Sequence, residues 1–316
     1  MGSTFTVYRS TDGSAPVLTG QVGALLTVLD AILVNGYGSK SAAGWTKPFT
    51  NAGNIGCYKQ GAGALLNLSV NDNAASTAKE ARMTGYETLS AVATGTNSFP
   101  TAAQGVGGVA MVVCRKSTTA DGTARPWVCL ADSSTFYLFV STGDNAANYL
   151  AFSFGDFYSF VGAEAWRCFI SGRSAENSAV ITSDTLDVLS ALNAATGGSF
   201  IVRNFGGTVG SITMGRHGDG VKGSTTALLG SVPYLNGADS GVYISPVFIV
   251  DAATSNLRGR MRGFYQALHA IANFTDGQTF TSVTGDYSGK TFLVIKTSGN
   301  AGVYFMETST GTIDTN

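Results

Sequence analysis

Charge is scarce in this sequence. Only 12% of the 316 residues are Asp, Glu, Lys or Arg, about half the ~25% usual in soluble domains, and they balance to a net charge of -1. No run of Lys and Arg exceeds an isolated pair, which argues against nucleic acid, since such partners are met by a clustered basic face. Histidine occurs twice, at 217 and 269, and cysteine four times, at 57, 114, 129 and 168. That spread is too wide for a zinc module, so no metal ligands and no cofactor are expected. A window of about 20 apolar residues is missing, and the opening MGSTFTVYRS has neither a basic nor an apolar signal region. The expectation is a soluble protein with no membrane insertion.

Familiar chemical signatures are missing as well. The stretch GYGSKSAAGWTKPFT over 36–50 looks superficially like a phosphate cradle, but Leu33 stands where the first glycine would be needed and Ser39 separates Gly38 from Lys40. It reads instead as a joint. No G-x-S-x-G elbow occurs. His217, in a glycine-flanked loop, and His269, at the end of QALH, have ordinary turn and capping roles available. No catalytic residues are assigned, and the chain is read as a non-enzyme. Carboxylates able to converge in a groove, as glycoside hydrolysis would need, are few: Asp72, Glu80, Glu87, Asp132, Asp144, Asp156, Glu164 and Glu176. Asp72, Asp121 and Asp144 fall in turn sequences, where the side chain bonds local backbone.

What is present is one helical pattern and a long β texture. TGQVGALLTVLDAILVNG places Val22, Leu25, Leu26, Leu29, Ile32 and Leu33 at helical spacing. Thr19 is a suitable N-cap and Asn35 with Gly36 a suitable stop, so the spacing predicts a helix over 19–34. From Trp45 onward, short runs rich in aromatic and β-branched residues alternate with Gly, Asn, Asp and Ser clusters. Strands are expected near 55–60, 64–70, 82–89, 107–116, 126–132, 135–141, 149–155 and 166–173. Further strands are expected near 198–203, 209–215, 241–250 and 291–296. In FYLFV, Phe136, Leu138 and Val140 point one way, Tyr137 and Phe139 the other. Two apolar faces favour burial within a sandwich over a carbohydrate platform.

Cys114 and Cys129 flank a turn signal at Asp121 and Gly122, so a hairpin there would face them across paired strands, as buried thiols or as a disulfide. Residues 255–269, SNLRGRMRGFYQALH, carry apolar positions at helical spacing. Gly259 and Gly263 interrupt them, which predicts a broken helix or a basic loop. Arg258, Arg260 and Arg262 form a local basic strip, read as an exposed loop or an ion-paired subunit contact. The C-terminal GKTFLVIK and GVYFMETSTG predict a hairpin.

The blocks VYRSTDGSAPVLTG, NGYGSKSAAGWTKPFT, AASTAKEARMTGYETLS, DGTARPWVCLADSSTFYLFV, FGDFYSF and LRGRMRGFYQALH together resemble a family of structural proteins of tailed bacteriophages. The resemblance runs in ordered blocks from residue 5 to about 270. It implies a virion protein assembled in the host cytoplasm and supplies no catalytic residues.

These readings combine into one expectation: a mainly β protein, an antiparallel β-sandwich of jelly-roll or lectin-like type with one N-terminal amphipathic helix. Its parts are an arm and helix over 1–40, a sandwich body over 41–275 and a hairpin extension over 276–316. The expected role is structural, in a tail, baseplate or neck and collar, with copies of itself and other virion proteins as partners. A host-surface glycan-binding module and a capsid decoration protein are the alternatives. Leu25, Leu29, Leu33, Trp45, Arg258, Arg260 and Arg262 are the candidate subunit-contact residues. Trp45 with Phe49 would anchor the joint to the β body, leaving Lys40 an exposed charge.

Overall fold

The computed structural model describes residues 5–74, 77–143, 149–173, 176, 198–216, 244–251, 254, 256–267, 274–283, 285–296 and 303–308. Within them the protein is mainly β with antiparallel sheets, consistent with a β-sandwich.

One sheet contains β2 (Thr46–Asn51), β3 (Ile55–Lys59), β4 (Asn67–Asn71), β5 (Glu80–Ala91) and β6 (Thr94–Phe99) in that order, with β7 (Val112–Arg115) also paired to β5. The larger sheet begins with β1 (Thr6–Arg9), β8 (Trp127–Ala131), β9 (Thr135–Val140), β10 (Leu150–Asp156), β12 (Cys168–Ser171) and β13 (Ser199–Arg203). It continues through β14 (Val209–Arg216), β15 (Ile244–Asp251), β16 (Asn256–Ala267), β19 (Val303–Glu307), β18 (Thr291–Lys296) and β17 (Thr279–Thr281). The two-residue β11 (Tyr158–Ser159) adds to β16.

Two cores explain this arrangement. Phe136, Leu138 and Val140 of β9 enter one hydrophobic cluster, shared with the smaller sheet and the helix. Tyr137 and Phe139 enter a second, shared with Val247, Met261, Leu293 and Met306 from the far part of the same sheet. The strands from β8 to β13 are therefore a middle layer, and all six residues of β9 are buried. A strand covered on both faces reads as a continuous apolar run, and each fully buried large side chain contributes roughly 1.5–3 kcal/mol. The predicted alternation of FYLFV is borne out.

The helix is shorter than its pattern. The α-helix α1 spans Ala24–Leu29 and passes directly into a π-helical segment over Asp30–Asn35. Thr19 does not cap it: its Oγ1 accepts from the N–H of Gln21, and the chain enters α1 through Gly23 in the left-handed region. The predicted stop holds, because Gly36 follows with a φ of 76°. The N-terminal amide of Leu25 instead donates to Asp72, 47 residues away, at 2.8 Å. Asp72 is fully buried and salt-bridged to Lys116, which corrects its reading as a turn residue.

Three other expectations change. Cys114 pairs with Ala81 in the smaller sheet, whereas Cys129 pairs with Tyr8 and Leu138 in the larger one. The expected hairpin between them does not form, because the turn at 121–122 carries the chain from one sheet to the other. All four cysteines are buried and free. Residues 256–267 form strand β16, not a broken helix or basic loop. Gly259 is required where β11 pairs, since a Cβ there would strike the Tyr158 carbonyl, and Gly263 has a φ of 60°. Finally, β18 and β19 form the predicted hairpin, but β19 pairs with β16 and so extends the main sheet.

Candidate functional site

Three of the carboxylates singled out from the sequence, Asp132, Asp156 and Glu164, line one cavity of about 660 Å³. Its walls are the turn before β9, the excursion between β10 and β12, and the loop around Gly63, with Arg262 reaching in from β16. The other candidates are spent elsewhere. Asp72 pairs with Lys116, Glu80 with Arg115 and Arg173, Glu87 with Arg203, and Glu176 with Arg82. Asp144, His217 and His269 lie outside the described residues.

Asp132 shapes the first wall. Its Oδ1 accepts the N–H groups of Ser134 at 2.8 Å and Thr135 at 2.9 Å, an Asx turn that holds its carboxylate in place. The Arg262 guanidinium forks onto both oxygens, with 2.6 Å from Nη2 to Oδ2. The Asp132 carbonyl accepts the Trp45 indole N–H at 2.7 Å. Trp45 itself is buried edge-on to Phe136 and Phe154.

Asp156 holds the opposite loop. It accepts from Gln60 Nε2 at 2.9 Å, from the Ala64 N–H at 3.0 Å and from Arg167 Nε at 3.1 Å. Burial pushes its carboxyl above the usual range, against the lowering effect of these donors. Gly63 passes so close that an added Cβ would collide with Oδ2 of Asp156. Arg167 also donates from Nη1 to the Glu164 carbonyl at 2.8 Å, and 35% of its side chain remains exposed.

Glu164 is gripped by Arg258 and by the Ser159 hydroxyl. Arg258 is itself buried, donates to the Arg203 carbonyl at 2.9 Å, and has its pKa lowered by desolvation. Arg260 and Arg262 each stand 5.7 Å from the centre of the Tyr158 ring. The excursion carrying these groups also holds two exposed aromatics, Phe160 at 51% and Trp166 at 40%.

The predicted contact residues thus separate. Leu25, Leu29 and Leu33 are completely buried in their own chain's core, so in this fold they present no surface to a neighbouring subunit. Trp45 is buried too, at the joint, and Lys40 is not a plain exposed charge: its ammonium donates to the Val7 carbonyl at 2.9 Å. The arginine strip is not an exposed loop: it lies on β16, and the ion pairs of Arg258 and Arg262 are made with acids of their own chain around the cavity. Gln60, Gly63 and Arg167 escaped sequence reasoning. The Asp-Ser-Ser turn at 132–134 was the one local signal of the site.

Among the described residues, no three His, Cys, Asp or Glu side chains are grouped to hold a metal ion. Among these residues no helix is long and apolar enough to cross a membrane, either. No family model matches the sequence, and no curated protein matches it.

Proposed function

We propose that this protein is a non-enzymatic structural component of a tailed-phage particle, a tail, baseplate or neck and collar subunit that assembles with copies of itself and with other virion proteins. The observation carrying this reading is where its few charges go. Acids and bases from distant segments are tied to each other, as in Glu87 with Arg203 and Asp132 with Arg262. Outer segments such as the β5–β6 hairpin tip expose Thr88, Ser90, Thr94, Thr96 and Asn97 instead. A neutral, hydroxyl-rich surface lets many copies pack without mutual repulsion. Mass spectrometry of purified particles should find the chain in stoichiometric amount, and an averaged particle map should contain its β body. Its absence from particles would sink the proposal.

A lectin-like module that binds host-surface glycan is the second reading. It is favoured by Phe160 and Trp166, two aromatics that stay exposed on the same excursion that lines the polar cavity.

A further inference from the structure

We propose that the cavity between the loop at Gly63, the 132–134 turn and the 156–167 excursion is a binding subsite for an uncharged saccharide unit. Phe160 and Trp166, on the same excursion but outside the cavity lining, leave their exposed sides to further units of the same glycan, the other side of Trp166 being covered by Arg203 and Phe160 lying beside Phe248. This rests on the glycan-binding reading and adds to it a place and a ligand class.

Size comes first. About 660 Å³ lies inside the roughly 300–1,000 Å³ typical of small-ligand sites. The charge pattern then selects the ligand. An anion entering would face Asp132, Asp156 and Glu164, and a cation would face Arg167 and Arg262. A polyhydroxyl compound suffers from neither, because each hydroxyl both donates and accepts and can bridge a carboxylate to a neighbouring guanidinium.

The lining is also held ready. Asp132 is locked by its turn and by Arg262, and Asp156 by Gln60 and the Ala64 amide, so little ordering is left to be done on binding. One non-glycine residue on these walls, Ala163, is held in the left-handed region at a φ of 54°. Such strain persists only where the surrounding structure enforces it, and it clusters at binding sites. Arg167 is the adaptable member. Its Nε and Nη1 are engaged, but its Nη2 makes no hydrogen bond among the described residues.

Binding of the full chain to a panel of neutral oligosaccharides built from glucose, galactose, mannose and N-acetylglucosamine would test this by titration calorimetry, beside a sialylated panel. At least one neutral oligosaccharide should bind. Arg167→Ala should weaken it about tenfold or more, and Trp166→Ala or Phe160→Ala several-fold, with unfolding midpoints near that of the parent because all three side chains reach the surface. Three results would overturn the site while leaving glycan binding intact: unchanged affinity in all three variants, preference for the sialylated panel, or release of reducing ends from the bound sugar. Absence of binding to either panel would overturn the glycan reading and the site together.

Discussion

Asp72 and Asp156 are both aspartates withdrawn from water and paired with a base, yet they serve opposite ends. Asp72 and Lys116 are sealed, each side chain 0% exposed, and together they close the entry to α1 through Leu25 and Gln21. Asp156 is 5% exposed but its partner Arg167 is 35% exposed and borders a cavity. Burial raises both aspartate carboxyls. The difference lies in the partner: a base with no route to solvent is a fastener, while a base with one foot in water can answer a ligand.

Breaking the sealed pair should have the largest effect. Lys116→Met leaves a buried carboxylate uncompensated and is expected to cost about 3–5 kcal/mol in urea unfolding; a cost under about 1 kcal/mol would mean that water reaches Asp72 after all. Next comes Gly63→Ala, which forces a Cβ onto Asp156 at a left-handed position, with an expected loss of about 2 kcal/mol. Arg167→Ala should cost less than about 1 kcal/mol of stability, because a partly exposed pair is screened, even as it weakens ligand binding.

The smallest effect is on pH dependence. A carboxyl raised by the fold takes up its proton before the unfolded chain does, so Asp72 and Asp156 add stability as pH falls from neutral toward the ordinary carboxylate range near 4. Glu87 works the other way. Burial raises its pKa, but Arg203 and Asn97 outweigh that and leave it lowered, so its contribution is present at neutral pH and lost as pH falls through the depressed value. Asp156→Asn should therefore flatten the acid-side gain between pH 7 and about pH 4.5, read from unfolding midpoints. Glu87→Gln should steepen it, and identical profiles for parent and both variants would refute the assignment of these groups.

Much of the body was legible because its signals are local. Phe136 to Val140 alternate with period two whatever covers them, and Gly36 stops a helix by its own backbone freedom. Where the signal was ambiguous, partners decided. Residues 256–267 carry spacing compatible with a helix, and pairing with β11, β15 and β19 turns them into a strand. Val22 continues the helical pattern, yet Gly23 ends the helix beyond it and leaves Val22 exposed.

The site was half legible. Its acids could be named because carboxylates are rare in this chain, but apart from the Asp-Ser-Ser turn at 132–134 nothing along the sequence separated Asp132, Asp156 and Glu164 from Asp72 or Glu80. Composition, the β texture and the helical stripe followed from the sequence alone, since they depend on the residue's own charge, shape and period. Which acids meet, which leucines are hidden and which arginine stays wet were decided only by tertiary structure. Those outcomes depend on segments more than 90 residues apart, such as those bearing Gln60 and Asp156, and no local preference encodes so distant a neighbour.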